Sequence, residues 1–314
     1  MFNPPAVSVI ICAYTEDRWS LLVDCVASVD IQTRPPIEII LCIDHNDELL
    51  QKCKEHFGIR RRADAIALTI VANKYDGRLG SARNSAAEIA DGEILAFLDD
   101  DATAAPDWLE CLIAPYEDSR VSAVGGAPLP VFEMRRPRWF PDEFDWVFGC
   151  AYSGLPSSRA RLAHLIGANM SVRTSALREI GGFHSDNHDD MDMCHRLAFA
   201  RHTVLYEPLA VVNHFVPASR TTWSYFWRRC YFVNVGKVEA FANMRGAANL
   251  GAELAFVGGI MVGAVPKALS QAVRGDWYAP LRMGAMFAGI LLAGIGHLSG
   301  KARLLRLHRM HSTP

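Results

Sequence analysis

The chain has 314 residues, half of them apolar, and its formal net charge is −2. That length can bury one large or two modest hydrophobic cores, and the near-neutral balance gives no indication of nucleic acid binding. The charge is uneven, because the residues after Glu253 hold seven basic side chains and one acid, which leaves −8 on residues 1–253. A basic, apolar tail behind an acidic body is typical of contact with an anionic membrane surface, although a basic helical face in water is the alternative.

The cysteines and the N-terminus indicate a cellular compartment. Eight cysteines are scattered without a Cys-x-x-Cys pair, which predicts reduced, mostly buried thiols in a cytoplasmic protein. The N-terminus lacks a basic stretch followed by an apolar segment and a cleavage site, so we expect no signal peptide.

The first hundred residues alternate strands with helices. Apolar, β-branched runs predict strands at Val7–Ala13, Ile37–Ile43, Ala67–Val71 and Glu93–Leu98. Helical spacing of apolar residues predicts helices at Trp19–Val29, Asn46–Phe57 and Gly80–Ala90. The alternation predicts right-handed βαβ units and a parallel sheet. No G-x-G-x-x-G follows the first strand and no Walker sequence is present, so a dinucleotide fold or a P-loop is not expected.

Polar residues recur where the predicted strands end. They are Thr15 and Glu16, then Asp44, then Asn73 and Lys74, and finally the carboxylates Asp99, Asp100 and Asp101. Parallel α/β sheets bind ligands at the carboxyl ends of their strands, and Mg²⁺ is usually held by carboxylates together with substrate phosphates. The pattern predicts a nucleotide site at this edge. A solvated acidic turn before the helix near Pro106 is the alternative for the three aspartates alone.

The next segments are less regular. A helix is predicted at Pro106–Pro115 and a strand at Val121–Gly125. Residues 128–160 are dense in proline and large aromatics without a clear period, which we interpret as a long loop or lid. The aromatic residues of this segment, which include Trp139 and Trp146, either cover the sheet or contact a sugar or a lipid chain.

Further helices and short strands follow this loop. Helices are predicted at Thr174–Ile180, from Asp189 onward, and at Trp223–Ala240. Val204–Tyr206 and Ala210–His214 are predicted as short strands. The first turn of the second helix contains Asp189 and Asp190, which the helix dipole favours regardless of function.

In this order, the segments resemble the family 2 glycosyltransferases, inverting enzymes with the GT-A fold. The matching segments are VSVIICAYTEDR, Gly80–Asn84, LDDD at Leu98–Asp101, GANMSVR, GGF and DDMDMCHRL. The stretch WFPDEFDWVFGC also resembles a subgroup that extends sugars on polyprenyl or dolichyl phosphates. The resemblance implies an α/β, Rossmann-like, mixed but mostly parallel sheet flanked by helices. It also implies a role in making cell-envelope polysaccharide.

The resemblance also implies a domain division and a reaction. Residues 1–240 would form the GT-A domain, with a nucleotide-binding half at 1–126 and an acceptor-side half at 127–240, and residues 241–314 an apolar, basic helical extension. The enzyme would move a sugar from a UDP- or GDP-sugar to a glycan or polyprenyl-linked acceptor with Mn²⁺ or Mg²⁺.

The resemblance assigns roles to individual residues. Thr15, Glu16, Asp44, Arg83, Asp99 and Asp100 would bind the donor nucleotide; Asp101, Asp99 and His214 would hold the metal. Asp190 would be the general base, with Asp189 as the alternative because the family's Glu-Asp pair appears here as Asp189-Asp190. For the acceptor side, the residues themselves predict Trp139, Trp146, Asn169, Arg228 and Arg229. The two arginines either bind acceptor phosphate, as the neighbouring aromatic residues favour, or lie on a plain helix surface.

The last 65 residues contain two apolar segments. Leu250–Val265 and Met283–Gly300 are short for spanning a bilayer, which needs about 20 residues, and the connector between them is basic. We therefore expect in-plane or re-entrant helices on the cytoplasmic leaflet of the membrane, anchored by Trp277, Tyr278 and basic residues. A homodimer through the same helices is the alternative.

Two other functions remain open at this point. A nucleotidyltransferase also uses clustered carboxylates and Mg²⁺, but the early Gly-rich, basic phosphate loop is missing. A non-catalytic glycan-binding or scaffold protein on the same fold is the third possibility.

Overall fold

The computed structural model describes residues 5–58, 66–76, 78–184, 188–241 and 251–311. The strands are β1 Val7–Ala13, β2 Glu38–Ile43, β3 Ala67–Ala72, β4 Ile94–Asp99, β5 Ala102–Ala104, β6 Val121–Phe132, β7 Ala160–Arg161, β8 Asn169–Arg173 and β9 Thr203–Val216. The first helices are α1 Trp19–Asp30, α2 Asp47–Phe57, α3 Leu79–Ala87, α4 Trp108–Ile113, α5 Thr174–Glu179 and α6 Asp189–Phe199. The later helices are α7 Trp223–Phe241, α8 Gly251–Gly259, α9 Val265–Val273 and α10 Ala279–His311.

The strands form one mixed sheet in the order β3-β2-β1-β4-β8-β6-β9-β5, with β7 paired to β9. Strands β1 to β4 are parallel to one another, whereas β8 runs antiparallel to β4. The register aligns Ala13 with Ile43, Ile43 with Ala72, and Cys12 with Asp99. The predicted mixed sheet flanked by helices is therefore confirmed, and the polar residues after β1 to β4 share one edge.

The described residues divide into two compact units. Met1–Leu129 with Pro156–His214 form the first, which we call the sheet unit, and Pro130–Leu155 with Phe215–Pro314 form the second, which we call the helical unit. The sheet unit has two apolar clusters. One contains α1, α2 and α4, and the other contains α3, α5 and α6. The eight cysteines are free thiols, and six of them are buried.

Two predicted segments differ in the structure. Within residues 128–160, β6 continues to Phe132 and a 3₁₀ helix spans Asp142–Phe148, so this segment is not a continuous loop. Three of its rings, Phe140, Phe144 and Phe148, are buried in the helical unit, whereas Trp139 and Trp146 are partly buried. Phe140 stacks on Phe148 at 4.4 Å between centroids, and this mutual packing follows no helical period. The two short strands predicted at 204–206 and 210–214 are one strand, β9, which pairs with β7 before Pro208 and with β5 after it.

The helical unit groups residues 130–155 with the C-terminal helices, which differs from a boundary at residue 240. The aromatic residues explain the grouping, since Phe144 contacts both Phe226 of α7 and Phe256 of α8. Two of its helical stretches, Ala255–Val273 and Ala279–Arg306, are long and apolar enough to cross a membrane. They are longer than the apolar runs predicted from the sequence. Leu250 itself, where one of those runs starts, lies outside the described residues.

Candidate functional site

The three aspartates at the end of β4 lie mostly inside the protein. Asp100 and Asp101 are buried, and Asp99 is partly exposed at the last position of the strand. Burial, which outweighs the attraction of Arg18, raises the pKa of Asp100 to about 7. Burial also raises the pKa of Asp99 despite the nearby Arg83. These shifts show that the protein surroundings do not fully compensate the charge of the carboxylates.

Strand pairing brings His214 next to these aspartates. Strand β5 follows directly after Asp101 and pairs with β9, so that Ala102 lies opposite His214. This register brings His214 Nε2 to 3.2 Å from Asp101 Oδ1. One ligand atom from each of Asp99, Asp101 and His214 lies within 4.8 Å of the other two. We call these three residues the acidic cluster.

The acidic cluster fits a divalent cation. Opposite ligands of Mg²⁺ lie about 4 Å apart, because each bond is about 2.0–2.1 Å long, and carboxylate and imidazole donors both bind such ions. In addition, Asp100 Oδ2 is buried and accepts no hydrogen bond from the described residues. A bound cation would hold Asp99, Asp101 and His214 together and offset the charge of all three aspartates.

Arg83 links the acidic cluster to the second pair of acids. This arginine lies on α3 and is almost fully buried, with guanidinium nitrogens 2.8 Å from Asp189 Oδ2, 3.4 Å from Asp99 Oδ1 and 2.9 Å from the Gly167 carbonyl oxygen. Burial alone would lower its pKa, but the carboxylates of Asp189 and Asp99 raise it. Arg83 is therefore a fixed positive charge between the two acidic groups.

Asp189 and Asp190 begin α6 but have different surroundings. Asp189 is buried against Arg83, whereas Asp190 is partly exposed and accepts backbone N–H bonds from Gly167 and Met191 at 2.9 and 2.8 Å. Partial burial raises the pKa of the Asp190 carboxyl despite Arg83. Gly80 of α3 fixes the approach of this pair, because a Cβ there would lie 3.1 Å from the Asp189 Cβ and 2.3 Å from the His184 carbonyl oxygen.

The ends of β1 and β2 carry the predicted nucleoside contacts. Thr15 caps the short turn Glu16–Arg18 by accepting from the Asp17 N–H, and Glu16 pairs with Lys52 of α2 at 3.0 Å. Asp44 Oδ1 accepts from Asn73 Nδ2 at 2.8 Å. These three predicted residues therefore lie at the same sheet edge as the acidic cluster.

The predicted acceptor residues are not all together. Asn169 is fully buried in the sheet unit, where Trp108 Nε1 donates to its Oδ1 and its Nδ2 donates to the Ala210 carbonyl oxygen, both at 2.8 Å. Both polar atoms of the amide form hydrogen bonds inside the core, so the Asn169 side chain does not face an acceptor substrate. The other four belong to the helical unit. There Trp139 packs edge-on against Trp223, Trp146 lies beside Phe144, Arg228 is exposed, and Arg229 donates to the Val147 carbonyl oxygen.

One residue of the site, Arg18, was missed from the sequence, and Asn73 was named at a strand end without a role. Arg18 contacts Asp100 Oδ1 at 2.9 Å and Asp101 Oδ2 at 2.6 Å, and Asn73 joins Asp44 to Ser81 of α3. A basic residue directly after β1, at an edge lined with acids, was the available signal for Arg18. The strand-end pattern included Asn73, but nothing in the sequence indicated its hydrogen bonds with Asp44 and Ser81.

Comparisons with known proteins identify a family. The model of Glycosyl transferase family 2 matches residues 8–181. A glucosyl-dolichyl phosphate glucuronosyltransferase of Haloferax volcanii is 30% identical over 242 residues, which are 74% of this chain and 76% of the relative.

Two solved structures share the fold. A mannosyltransferase from Pyrobaculum calidifontis, solved with GDP-Man and Mn²⁺, superposes with a TM-score of 0.61 at 20% identity, over 94% of this chain and 88% of that one. GalNAc-T7, solved with UDP, GalNAc and Mn²⁺, gives a TM-score of 0.57 at 18% identity, over 81% of this chain and 54% of that one. The predicted fold class is confirmed by these neighbours.

Proposed function

The chain belongs to glycosyl transferase family 2, and we propose that it transfers a sugar from a nucleotide-sugar donor to an acceptor hydroxyl with inversion, in a divalent-metal-dependent reaction. The observation that carries the proposal is the pair of acidic groups on either side of Arg83. One group can hold a cation, and the other contains Asp190, which is partly exposed. Family membership also favours sugar transfer over nucleotidyl transfer and over a non-catalytic scaffold.

The donor side of the reaction needs charge stabilisation. A cation held by Asp99, Asp101 and His214 would act as a Lewis acid on the leaving diphosphate. The solved neighbours support Mn²⁺ with a UDP- or GDP-linked donor, since one contains GDP-Man and the other UDP. Thr15, Glu16 and Asp44 stand at the ends of β1 and β2, where a nucleoside binds in open α/β sheets. We propose that they contact the nucleoside.

Asp190 is better suited than Asp189 to take the proton of the acceptor hydroxyl. A general base must lie within hydrogen-bond reach of the hydroxyl, and a raised pKa brings it closer to the working pH. Asp189 is buried and engaged by Arg83, whereas Asp190 is partly exposed and its backbone hydrogen bonds fix its orientation. Arg83 acts as a positioning residue for both acidic groups. A single base opposite the leaving group gives inversion.

The acceptor we propose is a sugar on a lipid phosphate or a growing glycan, at the cytoplasmic face of the membrane. The Haloferax relative is described as acting on glucosyl-dolichyl phosphate, and the helical unit exposes large apolar side chains on both of its long apolar stretches. Val273 is 90% exposed and Trp277 89% exposed, next to the basic residue Arg274. Apolar, aromatic and basic side chains together suit the interfacial region of an anionic bilayer.

Calorimetric titration tests the donor site. UDP and GDP are each titrated, with and without Mn²⁺, into wild type, Asp101→Ala and the control Asp118→Ala, which removes an exposed acid of the sheet unit. We expect one nucleotide to bind only with Mn²⁺, and its affinity to fall at least about 100-fold in Asp101→Ala, because a metal ligand is lost. Binding that is independent of Mn²⁺, or unchanged in Asp101→Ala, would contradict the proposed metal site.

A further inference from the structure

Arg18 pairs with Asp101, a carboxylate of the acidic cluster that a cation would also use. It ends the short turn Glu16–Arg18 after β1, and its Nη1 atom lies 2.6 Å from Asp101 Oδ2 and 2.9 Å from Asp100 Oδ1. The remaining oxygen of Asp101 faces His214 at 3.2 Å. A cation bound through Asp101 therefore meets a guanidinium group on the same carboxylate. Two positive charges on one carboxylate repel each other, so the two compete.

The two arginines of this site differ in their freedom to move. Arg83 is 2% exposed and is fixed by Asp189, Asp99 and Gly167. The Arg18 side chain is 20% exposed, and its guanidinium carbon lies 4.9 Å from the ring centroid of the exposed Tyr14. It follows β1 at the sheet edge that we propose for the donor. Arg18 can leave Asp101 without disturbing the core, whereas Arg83 cannot.

We propose that Arg18 is the counter-ion that the divalent cation displaces from Asp101, and that the displaced guanidinium binds the diphosphate of the donor nucleotide. This inference rests on the proposed function, because it assumes both the cation and the nucleotide. Guanidinium groups bind phosphate oxygens bidentately, and Asp100 remains a second anchor close to the cluster. Arg18 thereby couples the two ligands: the cation binds weakly alone and tightly with the nucleotide, which supplies a new partner for Arg18.

The test is a cycle of four affinities measured by calorimetry on the full chain. Mn²⁺ is titrated into wild type and Arg18→Met, each with and without a saturating concentration of the nucleotide, UDP or GDP, that binds wild type. Without nucleotide, Mn²⁺ should bind Arg18→Met about ten-fold more tightly, because its competitor is gone. The factor by which nucleotide strengthens Mn²⁺ binding should fall by roughly the same ten-fold or more, within the 5–150-fold range typical of coupling between sites.

Two further variants serve as controls. Arg120→Met removes an exposed arginine that pairs with Asp118, and it should leave all four affinities unchanged. Arg18→Lys keeps the positive charge but loses the planar fork, so it should shift Mn²⁺ affinity in the same direction by a smaller factor. If Arg18→Met does not fold, Arg18→Lys carries the test. In the absence of any ligand, thermal unfolding of Arg18→Met should occur at a lower temperature than in wild type, and Mn²⁺ should raise that temperature by more than it does in wild type.

The possible outcomes distinguish a failure of the role of Arg18 from a failure of the proposed function. Nucleotide-free Mn²⁺ affinity that is unchanged or weaker in both Arg18 variants would overturn the role of Arg18, while wild type still binds Mn²⁺ and nucleotide together. A wild-type protein that binds neither ligand would overturn the proposed function and this inference with it.

Discussion

The sheet unit buries charge, whereas the helical unit exposes apolar surface. In the sheet unit, Asp100, Asp101, Arg83 and Asp189 are all buried. In the helical unit, α9 and α10 leave Val273, Leu281, Leu291 and Leu298 exposed. Charged side chains are normally exposed to solvent, and large apolar surface is normally covered. Each unit thus departs from the usual pattern in the opposite direction.

The difference agrees with the partners that we propose for each unit. Buried carboxylates with raised pKa values are stabilised by a cation, and exposed apolar helices with basic residues are stabilised by lipid. A soluble, charged donor and a membrane-bound acceptor are what an enzyme that glycosylates lipid-linked sugars must accommodate. This comparison of the two units holds only if the sheet unit binds the charged donor and the helical unit binds lipid.

The largest effect should come from removing the base in the sheet unit. Asp190→Asn keeps the size of the side chain and one of the two oxygens that accept backbone N–H bonds, but it cannot take a proton. We expect kcat to fall about 10²–10⁴-fold while the donor affinity stays unchanged, since general-base catalysis contributes that much. Turnover is measured by release of the nucleoside diphosphate, and donor affinity by calorimetry.

Asp189→Asn is the matched comparison for this prediction. It weakens the buried pair with Arg83, and losing one partner of such a pair is strongly destabilising, so its main effect should be a lower unfolding temperature. If Asp190→Asn keeps most of its kcat and Asp189→Asn loses it without unfolding, the base is Asp189 and the assignment is wrong.

An intermediate effect should come from the basic residues of the helical unit. Replacing Lys301, Arg303 and Arg306 by alanine should weaken binding to anionic vesicles roughly five-fold for each residue, because one basic side chain near such a surface contributes about 1 kcal/mol. Arg120→Ala in the sheet unit is the control and should leave binding unchanged. Co-sedimentation with vesicles of anionic and of neutral lipid measures the difference.

Extraction distinguishes how the helical unit meets the membrane. Alkaline carbonate should release helices that lie in the plane of the leaflet, whereas helices that span the bilayer need detergent. The lengths of Ala255–Val273 and Ala279–Arg306 permit either arrangement. A protein that is soluble and monomeric without lipid would contradict both membrane association and a dimer through these helices.

The smallest effect concerns packing inside the helical unit. A Cβ added at Gly296 of α10 would lie 2.3 Å from the Tyr231 carbonyl oxygen of α7. We expect Gly296→Ala to lower the free energy of unfolding by about 1–3 kcal/mol, which is typical of overpacking. Gly284→Ala, on the same helix but with nothing within 4 Å of the added Cβ, should instead be neutral or stabilise by up to about 1 kcal/mol. Thermal denaturation followed by circular dichroism compares the two variants, and equal shifts would contradict close packing of α7 on α10.

The sequence was informative where the physics is local. Alternating apolar runs and helical spacing predicted β1 to β4 and the helices between them. The strands end at Ala13, Ile43, Ala72 and Asp99 within one residue of the predicted ends. The three aspartates were identified as a candidate site because their strand leads directly into them. Residues 128–160 were poorly predicted, because aromatic residues that pack on one another leave no periodic pattern.

What the sequence by itself determined is which chemical groups stand at the sheet edge: polar residues after each of the first four strands, with three acids after the fourth, and a family resemblance that implies sugar transfer. Only the tertiary structure decided which groups meet. The pairing of β5 with β9 brings His214 to Asp101, Arg18 closes on the same carboxylate, and Asn169 turns into the core. Whether a segment forms a strand or a helix depends mainly on neighbouring residues in the sequence. These contacts join residues about 60 to 110 positions apart, so they depend on strand pairing and packing that no local pattern specifies.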